Sequence, residues 1–410
     1  ASSAKYPTIF VTFSWRLGIF GWISLPGSGI PENLGLHDQQ AALRWVQEHI
    51  GSFGGNPASV TLMGTSEGCG AITTHMVAPG SAGLFNRAVL LSSVADFWSR
   101  NASVDRTAFA VRESGCRRPK TWSTVRCLMR KPAKKLFYLD WVAEEISHDQ
   151  FSMVWTKNFI NLLKYVTLPQ HKEPNFLRVL GWHAVVDNET LFGEPRELVR
   201  KGRIHSNLSV LLSVLPNETL GVLPAAIAPM ALHAGLAGLL GDLKNRSAYR
   251  EYEQTLEDRG IKNTTIIDLG HQMMTDKVFT CDIRSLAEDI VEGNGTAYIS
   301  FFAHGPKFAP LGRRSNAVCE EGASCHADDV QYMLPQGPRG IRGPGMEGEL
   351  EFSRKYSEAF LAFLYGNTTG HSWVPYNLET RPITIIKASG SFVVPNFKKE
   401  QCDILDAFNG

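Results

Sequence analysis

The chain has 410 residues, 43% of them hydrophobic, so it can bury a large core in one big α/β domain or in two to three ordinary ones. Its 41 Lys plus Arg against 40 Asp plus Glu leave a net charge of +1 with no basic block of the kind that neutralises phosphates, which removes nucleic acid from the expected partners. Seven cysteines without a single Cys-x-x-Cys pair exclude a zinc knuckle, leaving disulfides as the better reading and no metal to expect.

In chain order, Ala1 to Lys5 lead directly into the strand-like run Tyr6 to Phe13, so no signal peptide opens the sequence, which reads as beginning mid-protein. Residues 8–13, 59–64 and 87–92 have strand character. Between the first two, Leu36, Ala41, Leu43, Trp45, Val46 and Ile50 give a helix with one apolar face, ended by Gly51 and Gly54-Gly55. Residues 207–214, 297–303 and 382–387 are again strand-like, and helical periodicity returns at about 276–292 and 349–365. Strands alternating with amphipathic helices predict an α/β fold with a mostly parallel sheet flanked by helices.

Two stretches depart from that alternation. Residues 219–241 carry no charge and are long enough for a bilayer, yet Pro224, Pro229, His233 and many Ala and Gly favour a buried or loop-rich insertion over a membrane span. Residues 337–345 look like three collagen triplets, far too few for a triple helix, and read as a surface loop. Eight Asn-x-Ser/Thr sequons, at Asn101, Asn188, Asn207, Asn217, Asn245, Asn263, Asn294 and Asn367, join the cysteines in favouring a secretory route.

Gly64-Thr65-Ser66-Glu67-Gly68 fits the Gly-x-Ser-x-Gly pattern and lies after an apolar strand and before a helix. The turn is so sharp that side chains two residues either side of the serine would collide, and it projects the hydroxyl above the sheet. A serine hydroxyl needs a histidine to take its proton and a carboxylate to fix that histidine's tautomer. Twelve histidines compete for the first role.

Around that pentapeptide stand Trp15-Arg16-Leu17-Gly18-Ile19-Phe20-Gly21, Asn33-Leu34-Gly35-Leu36-His37-Asp38-Gln39, Ala42-Leu43-Arg44-Trp45, Phe53-Gly54-Gly55-Asn56-Pro57 and Pro79-Gly80-Ser81-Ala82-Gly83-Leu84-Phe85-Asn86-Arg87. This series resembles the type-B carboxylesterase, cholinesterase-like branch of the α/β-hydrolases, with weaker similarity reaching Cys402. The resemblance implies one α/β-hydrolase domain over 1–410, lacking its upstream strands. Cys325-His326-Ala327-Asp328-Asp329-Val330 resembles the family's catalytic histidine loop, and Leu215-Pro216-Asn217-Glu218-Thr219 its acid loop, so the implied triad is Ser66, Glu218 and His326. A surface glutamate at 218 is the competing reading. Asp328 and Asp329 are less suited as the acid, and His75 is assigned to packing.

The same resemblance pairs Cys116 with Cys127 and Cys281 with Cys402; Cys319 and Cys325 could close a small loop, and Cys69 is left as a buried free thiol. The backbone N–H of Glu67 is the oxyanion-hole donor that remains, because the family's His-Gly-Gly-Gly type loop is missing from the sequence. Thr65 stands where the family has glutamate and Glu67 where it has alanine, and a carboxylate beside a developing oxyanion opposes catalysis unless it points away. The implied function is a secreted carboxylic ester hydrolase that works through an acyl-enzyme on a small-molecule ester, with no cofactor. This chain, on that view, turns over slowly. The alternative is a cholinesterase-like binding or adhesion module that keeps the fold and loses the chemistry.

Overall fold

In the computed structural model, residues 5–93, 100–118, 120–140, 182–205, 207–222, 246–258, 266–307, 319, 322–334, 341, 345–368 and 373–407 are described. Most of the uncharged stretch 219–241 and of the collagen-like 337–345, together with Asn245 and Asn263, lies outside them. Among the described residues no helix is long and apolar enough to cross a membrane.

Six strands form one sheet in sequence order: β1 (Thr61–Thr65), β2 (Arg87–Leu91), β3 (Ser209–Val214), β4 (Thr296–Phe302), β5 (Ile383–Ile386) and β6 (Phe392–Val394). The first five run parallel and β6 pairs antiparallel with β5. The sheet is covered on both faces, which is why β2, β3 and β4 read as near-continuous apolar runs rather than alternating ones. Successive side chains still serve opposite faces. Ala88, Leu90, Val210, Leu212 and Ile299 pack under the helices α1 (Gly18–Trp22), α2 (Leu34–His49) and α3 (Glu67–Val77) and the helix Cys281–Glu292, whereas Val89, Leu91, Leu211 and Phe302 pack against the helix Glu347–Leu364.

The glycines of the first hundred residues let helices close on one another. A β-carbon at Gly35 would stand 2.6 Å from the Trp22 ring, and one at Gly21 would stand 2.1 Å from the Arg16 carbonyl oxygen. Arg16 then clamps the start of α2 through two bonds of 2.7 Å to the Asp38 carboxylate. The three cysteine pairs 116–127, 281–402 and 319–325 are bonded, and Cys69 is free and buried.

One sequence expectation needs correction and a second needs refinement. Residues 8–13 join no ladder among the described residues, and Ile9, Phe10, Val11 and Phe13 are exposed while β1 forms the sheet's edge. β-propensity reports fitness for a paired, half-buried surface, and among the described residues no strand lies beside this run to supply one. The stretch of helical periodicity at 276–292 is helical throughout, but it opens on a π-helical turn, Asp276–Thr280, before the α-helix from Cys281. A π-helical turn is rare and appears mostly as a single turn among α-helices; here it carries fully buried Asp276, which is bonded to Tyr252, Lys398 and Thr280.

Candidate active site

Ser66 occupies the single residue between β1 and α3, with φ 56° and ψ −121°, a conformation that L-residues rarely adopt. Its N–H donates to the Leu91 carbonyl across to the end of β2 at 2.9 Å, and its own carbonyl accepts from the Cys69 N–H at 2.9 Å. A β-carbon at Gly64 would meet the Gly68 carbonyl oxygen at 2.6 Å, whereas one at Gly68 would meet nothing within 4 Å. The crowding is therefore one-sided: Gly64 must be bare so that the first turn of α3 can fold back over the strand. Cys69 lies in that turn fully buried, its Sγ 3.3 Å from the Leu91 carbonyl, and burial pushes its thiol far up, which leaves it inert.

Glu218 follows the C-terminal end of β3 and is fully buried. One carboxylate oxygen accepts the Leu215 N–H at 2.8 Å, and the other stands 2.6 Å from Nδ1 of His326. An imidazole that gives its Nδ1 proton to a carboxylate leaves Nε2 to accept one from elsewhere. The His326 loop is held on every side. Ser324 Oγ donates to the Phe302 carbonyl at the end of β4 at 2.7 Å, Asn217 Nδ2 to the Ser324 carbonyl at 3.1 Å, and the Cys325 N–H to the Asp328 carboxylate at 2.8 Å. The Ala327 N–H donates to Ser92 Oγ at 3.2 Å, and the Phe279 ring stands edge-on to His326 with centroids 5.6 Å apart.

The Ser66 turn and the His326 loop are thus bonded to consecutive residues, Leu91 and Ser92, at the C-terminal edge of the parallel sheet. Among the described residues no hydrogen bond joins the Ser66 hydroxyl to His326, a looseness common in sites without substrate. The acid–histidine half of the constellation is formed.

Asp329 lies three residues after His326 and Glu67 directly after Ser66, and His75 sits further along α3; the contact that Glu67 makes with His183 had no signal in the sequence. Asp329, fully buried, accepts the Ser213 hydroxyl at 2.6 Å, and burial pushes its carboxyl up to about 7. The Glu67 carboxylate has a partner: Oε1 lies 2.9 Å from Nδ1 of buried His183. His75 is a packed residue, as read, with its two ring nitrogens at 2.7 Å from Ser81 Oγ and 3.0 Å from Gln39 Oε1. Of the sequons, Asn101, Asn188, Asn207, Asn294 and Asn367 are exposed, while Asn217 is turned inward onto the histidine loop. Among the described residues no cluster of His, Cys, Asp and Glu could hold a metal ion.

With this geometry in hand, comparison with known proteins is specific. Residues 3–405 match the model of the carboxylesterase family. Esterase FE4 and esterase E4 of Myzus persicae are 39% and 38% identical to the chain over 130 residues, or 31% of the chain. The matched stretch spans 23% and 24% of those esterases, well under the full length of either. Among solved structures, two of a PNB esterase superpose on 95% of the chain with TM-scores of 0.68 and 0.69 at 21% identity, the chain covering 72% and 73% of theirs. At that identity the likeness establishes the α/β-hydrolase fold.

Proposed function

The chain belongs to the carboxylesterase family, and from that premise we propose that it is a hydrolase of small-molecule carboxylic esters in which Ser66 is the nucleophile, His326 the general base and Glu218 the residue that orients it. The observation that carries this reading is the 2.6 Å bond between Glu218 and Nδ1 of His326, beside a serine held in a strained strand-to-helix turn.

In this mechanism Nε2 of His326 takes the Ser66 proton as Oγ adds to the ester carbonyl, and the new negative charge on the carbonyl oxygen is met by the Glu67 N–H at the start of α3. The tetrahedral species collapses, its C–O bond breaks, and the alcohol leaves with the proton from His326. Water then repeats the sequence on the acyl-enzyme and releases the acid. Glu218, dry and already bonded to the Leu215 N–H, stabilises the imidazolium in both halves. The bonded cysteine pairs and the exposed sequons support a secretory-pathway setting, and the one continuous sheet supports a single catalytic domain.

A fluorophosphonate probe tests this, because it requires an activated serine and not fast turnover. Adduct mapped by mass spectrometry to Ser66, abolished by Ser66→Ala and reduced about 10,000-fold in rate by Glu218→Gln, is the expected result. A folded chain that takes no label would favour the adhesion-module reading instead.

A further inference from the structure

The first residue of α3 carries two demands that conflict. Its N–H is one of the unpaired donors of a helix N-terminus and is the group assigned above to the substrate oxyanion. Its side chain is a carboxylate, which the same helix N-terminus attracts. A Glu67 side chain free to follow that attraction would place a negative charge against the oxygen that must itself become negative, competing for the same N–H.

The structure resolves the conflict with His183. Its Nδ1 lies 2.9 Å from Glu67 Oε1, and the imidazole is 6% exposed while the Glu67 side chain is 62% exposed. An exposed side chain has little of its own to fix it, so the buried ring is the anchor of the pair. That ring is itself firmly placed. Two residues on, both backbone polar groups of Val185 are bonded to the Asn33 side chain at 2.8 Å, and Asn33 is the residue from which α2 begins. Asp187, two residues further, accepts three backbone N–H bonds, from Glu189, Thr190 and Leu191. Residues 182–187 thus form a strut between the start of α2 and the nucleophile turn, with His183 at the turn's end.

We propose that His183 is a positioning residue: its Nδ1 proton draws the Glu67 carboxylate away from the oxyanion position and so keeps the Glu67 N–H available to substrate. The inference rests on the esterase reading of Ser66. It makes a prediction of unusual sign, because removing His183 harms the enzyme only through the carboxylate that it restrains. Loss of His183 is therefore cured by loss of Glu67's charge.

The test is the rate of fluorophosphonate labelling of Ser66, with kcat and KM on an activated ester measured in parallel, for the wild type, His183→Gln, Glu67→Gln and the double variant, each shown to be folded by circular dichroism. His183→Gln labels about 10- to 100-fold more slowly, in the range of losing part of one oxyanion donor, with the fall in kcat and KM within about twofold. Glu67→Gln, which keeps the backbone N–H, labels about threefold faster than the wild type. The double variant recovers to at least the wild-type rate. A double variant no faster than His183→Gln alone would show that His183 serves packing only, and an unimpaired His183→Gln would equally overturn the proposal. Should His183→Gln not fold, Glu67→Gln decides: labelling slower than wild type means that the carboxylate helps rather than hinders. A wild-type chain that takes no label at Ser66 fails differently, since it removes the esterase reading on which the inference stands.

Discussion

At Asp329 a carboxylate is buried, held by the Ser213 hydroxyl and faced by Glu218, His326 and Asp328. Burial raises its carboxyl from the ordinary 3.8 to about 7, with the Glu218 charge adding to the shift. A folded-state value above the unfolded one means that the native protein binds more protons between those limits, so stability is full below about pH 4 and is lost as pH rises to about 7. The loss is at most about 4 kcal/mol, at about 1.4 kcal/mol for each unit. Asp329→Asn removes it, so urea unfolding at pH 4 and pH 8 should show the variant gaining on the wild type by a few kcal/mol at the higher pH. A difference that does not change with pH would mean that Asp329 is ionised throughout. The sequence could not show this residue's role, since Ser213 is 116 positions away and an Asp-Asp pair after a histidine looks like any polar loop. The Ser66 turn was legible because its sharp geometry dictates a local glycine pattern, whereas His326 was read from the resemblance of its loop. Glu218 was legible only through resemblance, and the direction of the Glu67 side chain not at all.

Among the elements, α3 shows how the Ser66 turn is braced from behind. His75, two residues from its C-terminal end, is buried with both ring nitrogens bonded, one to Ser81 Oγ and the other to Gln39 of α2. Burial depresses its imidazole to about 4. The sign is opposite to that of Asp329: the unfolded chain takes up the proton first, so stability is complete above about pH 6.5 and is lost as pH falls toward 4. That window is worth up to about 3 kcal/mol, and His75→Gln, which keeps a polar group without the titration, should flatten it. Unfolding free energies at pH 7 and pH 5 that fall equally in both proteins would show that another group titrates there. Elements whose covering partners lie on the described chain were legible from pattern alone, as in β2 to β4 and the helix Glu347–Leu364. The run 8–13 was misread because a strand is defined by its neighbour, and the π character of Asp276–Thr280 was not visible because helical periodicity does not separate a π turn from an α turn.

Across the whole molecule, the covalent tie between Cys281 and Cys402 connects remote sequence to the site. It joins the first residue of the helix Cys281–Glu292 to the C-terminal helix Lys399–Ala407, and the ion pairs Lys398–Asp276 and Lys277–Asp406 lie alongside it. Directly before Cys281 runs the π turn whose Phe279 ring stands against His326. The helix Lys399–Ala407 therefore supports the His326 imidazole through one disulfide and one aromatic contact. In the chain-entropy account a bond closing 121 residues is worth about 5 kcal/mol, against about 3 kcal/mol for the 11-residue Cys116–Cys127 loop. Replacing both cysteines of the long pair with serine should thus lower the urea midpoint more than the same change in the short pair. It should also slow Ser66 labelling by loosening Phe279 from His326, whereas the short pair, which closes a loop outside the catalytic constellation, should cost stability alone. Equal slowing by both variants would mean that labelling follows global stability, and the path from Cys402 through Phe279 to His326 would have to be given up.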